Sequence, residues 1–177
     1  MTVANATASS ARLKAFQVIL LGGFVAGALD LTAACVVRWL RAGVGPVQVM
    51  QSIASGLLGA AAFTGGARTA VLGVALHFFI ATVVTAVFYF ASRTLKFMVQ
   101  RPIAAGLLYG VAVYVVMNFV VLPLSAVPQG AAPPLSGRII GVLVIMFCVG
   151  LPVALIVRRF SSDVKDPVRF RTRRPIT

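Results

Sequence analysis

Charge almost vanishes from four stretches of this chain, residues 15–37, 69–92, 103–124 and 139–157. A bilayer core of about 30 Å needs roughly 20 apolar residues at about 1.5 Å each, and each stretch reaches that length. Within hydrocarbon every backbone N–H and C=O has to be satisfied inside its own segment or in a closed barrel. None of the four alternates as barrel strands do, so all four are expected to be membrane-spanning helices.

A fifth segment, residues 46–63, reads "PVQVMQSIASGLLGAAAF". Gln48, Ser52, Ser55 and Gly59 recur at helical spacing opposite Val47, Met50, Ala54, Leu57 and Ala61, which is an amphipathic pattern. Pro46 suits the first helical turn and Gly65-Gly66 the end. The segment is expected to be an interfacial or re-entrant helix rather than a fifth span. The fold class that follows is all-α: a polytopic bundle of four transmembrane helices over residues 15–157 with one amphipathic helix. It lies between a cytoplasmic N-terminal segment, 1–14, and a basic cytoplasmic tail, 158–177.

Composition agrees with the pattern. Of the 177 residues 60% are hydrophobic and 11% charged, and the mean hydropathy is +1.01, far from soluble domains. The net charge of +13 is concentrated outside the spans. With both termini inside, twelve of the sixteen Lys and Arg residues fall on the cytoplasmic side. A five-span chain with its N-terminus outside gives the same tally, because Arg38 and Arg41 then exchange sides with Arg12 and Lys14. In both arrangements the Arg93–Arg101 loop and the tail are cytoplasmic.

That tail carries Arg158, Arg159, Lys165, Arg169, Arg171, Arg173 and Arg174 directly after the last span. An anionic inner leaflet attracts each such residue by about 1 kcal/mol, so lipid, not nucleic acid, is the expected partner. The "LTAAC" ending at Cys35 departs from a lipoprotein cleavage box at Thr32, and the segment is expected to remain a mature helix. Cys35 and Cys148 each lie within a span and suggest packing rather than a disulfide or metal pair.

Small residues four apart mark where helix backbones approach closely: Gly23 and Gly27, Gly106 and Gly110, Gly137 and Gly141. Such faces serve one bundle, a homo-oligomer or a larger membrane complex alike. One shift superposes the first pair on the second and another places Gly73 on Gly141, but the alignment by the second shift leaves few identities, so no internal duplication is inferred.

The candidate chemistry is the polar minority within the spans. An ionisable group at the bilayer centre costs about 2.5–3.5 kcal/mol on insertion scales. Asp30, His77 and Asn118 are the strong members; Thr32, Thr82, Thr85, Tyr89, Tyr109 and Tyr114 are weaker. In the four-span arrangement these three lie about 6, 5 and 7 Å to the outer side of their span midpoints, at one level. A hydrogen-bonded cluster of the three is expected. It could glue helices together, or it could bind a proton between an acid and the chain's only histidine. No second intramembrane carboxylate or histidine is present for a paired-acid site, a His-rich metal site or bis-histidine haem, and no serine has the context of a nucleophile elbow. Neither enzymatic activity nor a cofactor is expected.

"LGVALHFFIATVVTAVFYFAS", then a basic loop, then "AAGLLYGVAVYVVMNFVVLPLSAVP" resembles the second half of the YagU-like bacterial inner-membrane proteins, a group associated with acid resistance. The carriers are His77 early in one span and the glycine-rich span with Gly106, Gly110 and Pro123. The sequence departs from that pattern at Asn118, where a histidine would match better, and in "RIIGVLVIM", which has neither histidine nor tryptophan. The resemblance implies a bacterial inner-membrane location and a non-enzymatic class. The expected function is a non-catalytic membrane component that supports envelope integrity or acid tolerance, or serves as an accessory subunit of a membrane assembly. The alternative from the residues alone is a small proton-coupled transporter or proton path using Asp30 and His77.

Overall fold

A computed structural model describes residues 3–128 and 134–162. Helix α1 (Val3–Ala42) leads into α2 (Pro46–Leu58), a tight turn of 3-10 type (Gly59–Phe63), α3 (Gly66–Thr94) and the short α4 (Lys96–Gln100). Helices α5 (Pro102–Leu124) and α6 (Leu135–Phe160) follow, and no strand occurs among the described residues. The protein is an all-α polytopic membrane protein. Among the described residues four helices are long and apolar enough to cross a bilayer, namely Leu13–Ala42, Gly66–Thr94, Pro102–Leu124 and Leu135–Phe160. The first, second and fourth run past the bounds expected from the uncharged stretches into their basic flanks, while the third keeps to them within one residue.

Helix α2 is not a fifth span. Its 13 residues rise about 20 Å, short of a hydrocarbon core. Gly43, at φ 65°, closes α1 in the left-handed conformation and donates its N–H to the Trp39 carbonyl at 2.8 Å. Three residues later Pro46 opens α2, where a missing N–H costs nothing. The face of α2 differs from the expected division. Val49, Gln51, Ala54 and Ser55 are buried, while Val47 and Leu57, both on the expected apolar side, are exposed. The reason is a change of rule: against another helix the close-packing side chains win, and the bulky apolar ones turn outward.

Helix α1 packs on α3 and α6, α6 packs on α5, and α2 lies against α3. At the end where α3 finishes and α5 begins, the interior is filled by Val18, Phe88, Met98, Ala105, Val153 and Val157. Outward-facing Phe16, Phe24, Phe79, Phe90, Leu108 and Phe119 make the apolar coat expected of a lipid-facing surface.

Prolines shape two of the spans. Pro123 and Pro152 cannot donate to the carbonyl four residues back. Just before each, the helix widens to i→i+5 bonding, over Met117–Val121 in α5 and Ile145–Gly150 in α6.

The small-residue faces meet within the chain. A Cβ on Gly23 would stand 2.7 Å from the Thr82 Cα, and one on Gly27 would stand 2.9 Å from the Phe78 ring, so that pair seats α1 on α3. A Cβ on Gly106 would meet the Gly150 carbonyl at 2.8 Å, and one on Gly110 the Met146 Cα at 2.5 Å, which seats α5 on α6. The third pair is different. Gly141 faces only the edge of the Tyr114 ring, at 3.1 Å, and Gly137 lies in the first turn of α6, its N–H donating to Pro134.

Candidate intramembrane polar site

Gly27 and Asp30 are three residues apart on α1 and therefore share a face. The absence of a side chain at Gly27 lets α3 approach closely enough for His77 Nε2 to reach the Gly27 carbonyl at 2.9 Å. A carbonyl only accepts, so Nε2 carries the proton. The same nitrogen lies 3.9 Å from Asp30 Oδ2, and both side chains are mostly shielded, at 14% and 22% exposure for His77 and Asp30. The Asp30 oxygens accept no hydrogen bond from the described residues. His77 thus ties α3 to the backbone of α1, with the carboxylate as its second neighbour. The Phe78 ring next to it stacks on Phe24 of α1 at 5.5 Å, which fixes the rotation of the two helices.

Asn118 does not join them. Its Nδ2 donates to the Tyr114 carbonyl of its own helix at 2.9 Å, at the edge of the widened turn. The expected cluster of three is therefore a pair, with Asn118 satisfied locally. Among the weaker polar residues, Thr32, Thr82 and Thr85 likewise return their hydroxyls to carbonyls four residues back. Tyr109 is the exception, since its hydroxyl donates to Val84 of α3 at 2.7 Å and its ring meets the fully buried Phe88 edge-on at 5.0 Å. Tyr109→Phe is expected to lower stability by about 0.6 kcal/mol, the average for an interhelical hydrogen bond in a membrane. Thermal unfolding of the two proteins in the same detergent checks this.

Beside the Asp30–His77 pair is a cavity of about 170 Å³. Its walls come in helical steps from every span: Gly27 and Asp30 of α1; His77, Ile80, Ala81 and Val84 of α3; Val113 and Met117 of α5; Ile145 and Val149 of α6. Ile53 of α2 closes one side. Met117 opens the widened turn of α5, and Ile145 and Val149 belong to that of α6, so both distorted stretches border the same space.

At the opposite end from the filled core, Arg41 donates to Ser136 Oγ at 2.8 Å and links α1 to the start of α6. Gln51 of α2 donates to the Gly66 carbonyl at 3.1 Å. Two glycines outside the expected pairs are the most tightly approached. A Cβ on Gly73 would overlap the Met50 carbonyl of α2, and one on Gly150 would overlap the Gly106 carbonyl of α5. Gly150 has a legible signal, because Ala154 follows four residues later and also packs on Gly106; Gly73 has Thr69 four residues before it. Of the basic residues expected at anionic lipid, Arg158 and Arg159 are exposed at the end of α6. Lys165, Arg169, Arg171, Arg173 and Arg174 lie outside the described residues. Compared with family models, curated proteins and solved structures, the chain matches none.

Proposed function

We propose that this chain is a non-catalytic component of a bacterial inner membrane, with its basic end in the cytoplasm, that supports envelope integrity or acid tolerance or serves as a small subunit of a larger membrane assembly. The observation that carries this reading is the use made of the intramembrane polar groups. His77 and Tyr109 bind backbone carbonyls of a neighbouring helix, and Asn118 and the threonines bind their own. The first two hold helices together, and the others are satisfied within their own helix. The likeness to the YagU-like proteins points the same way, as does the placement of Arg93, Lys96, Arg101, Arg158 and Arg159 at one end. Extraction of the tagged chain into native nanodiscs and measurement of the particle mass tests the subunit role. A stoichiometric second polypeptide supports it; the chain alone, as monomer or homo-oligomer, removes it.

One observation favours a second reading, a proton path or proton-coupled transport: the Asp30 carboxylate borders a cavity that all four spans share. In liposomes holding a pH-sensitive dye, a pH step should then decay faster with the wild type than with empty vesicles, and Asp30→Asn should remove the difference. Equal decay in all three ends uncoupled proton conduction.

A further inference from the structure

We infer that the central cavity is a binding site for a small organic monocation, an amine with a compact apolar body. The inference does not depend on the accessory role or on proton flow, because it concerns occupancy alone. It starts from size. An apolar cavity of about 150 Å³ accepts a guest like benzene, and this one measures about 170 Å³.

The wall chemistry narrows the guest. Ile80, Val84, Val113, Met117, Ile145 and Val149 offer hydrocarbon, which a sugar or a hydrated inorganic ion could not use. A bare metal ion of the calcium type seeks six or more oxygens, and Asp30 brings the one carboxylate of the lining. An anion would meet that carboxylate and no lysine or arginine among the lining residues. What remains is apolar, neutral or cationic.

Asp30 decides for the cation. His77 Nε2 points its proton at the Gly27 carbonyl at 2.9 Å, and its distance to Asp30 Oδ2 is 3.9 Å, too long for a hydrogen bond. The carboxylate, 22% exposed, thus accepts no hydrogen bond from the described residues and borders the open space of the cavity. An ammonium group placed against it supplies both the charge and the donors, while the hydrocarbon part fills the apolar end. Ile53 of α2 walls one side, so a shift of that short helix changes the space open to the guest.

The test uses the full chain in phosphatidylcholine nanodiscs, with empty nanodiscs as the control for partition into lipid. The probes are cyclohexylammonium and its neutral counterpart cyclohexanol, titrated by calorimetry. Saturable binding of the amine, about tenfold or more tighter than the alcohol, is expected from one charge-assisted hydrogen bond. Asp30→Asn should abolish the preference and leave the alcohol unaffected; Val113→Phe, which fills the cavity, should abolish both. Amine binding no different from empty nanodiscs, equal affinity for amine and alcohol, or a preference that survives Asp30→Asn overturns the inference. The wild-type comparison decides even if neither variant folds. A chain that binds the amine but passes no protons keeps this inference and loses the proton-path reading; one that passes protons but ignores the amine does the reverse.

Discussion

Gly150→Val is expected to push α5 and α6 apart and to cost about 3 kcal/mol, the upper end of ordinary overpacking. The size follows from what the new atoms would meet. Already the Cβ overlaps the Gly106 carbonyl oxygen and comes within 2.8 Å of the Gly110 nitrogen. Backbone cannot rotate aside as a side-chain tip can, so two helices must separate along the contact where Ala154 and Leu151 meet Gly106. Gly141→Ala is the control. Its Cβ meets the Tyr114 ring edge at 3.1 Å, which a small ring tilt relieves, and less than about 1 kcal/mol is expected. The measurement is the unfolding midpoint of each variant in one detergent. Similar losses for the two would mean that α5 and α6 do not depend on the contact at Gly150.

His77→Leu is expected to cost about 1–2 kcal/mol, the range that interhelical hydrogen bonds reach in model membrane peptides. Two losses contribute. The tie from α3 to the Gly27 carbonyl disappears, and Asp30 is left in the bundle without the imidazole Nε2–H now 3.9 Å away. The second loss exists only while residue 30 is an acid. Asp30→Leu in the His77→Leu background should therefore recover part of the stability, and the double-mutant cycle should close with a coupling of about 1 kcal/mol. His77→Gln, which keeps a donor able to reach Gly27, should fall between wild type and His77→Leu. Simple additivity of the two substitutions would show that Asp30 and His77 act independently.

Much of the architecture is legible in the sequence, because lipid permits so few solutions. The four spans follow from length and charge alone, and the Gly23–Gly27 and Gly106–Gly110 faces follow from four-residue spacing. Asp30 and His77 could be paired by depth along their helices. The short helix at Pro46 was legible as a helix that does not span, yet not its face, since Ala54 and Ser55 were assigned to opposite sides and both are buried. A soluble protein's rule sends bulky apolar residues inward; in this bundle Val47 and Leu57 point out. Tyr109 was visible only as one polar residue among several, because its partner is the Val84 backbone, and no side chain announces a backbone acceptor.

Depth along a helix does not fix rotation about its axis, and Asn118 lies one residue, about 100°, beyond the cavity-lining Met117. The widened turns compound this for residues further along. Each i→i+5 turn accommodates one residue more than an α-helical turn, and one residue corresponds to about 100° of rotation about the axis. Counting faces in steps of 3.6 residues therefore works in α5 up to Met117 and in α6 up to Ile145, and loses its phase beyond. The two halves of each helix are in effect separate rulers, joined at the cavity.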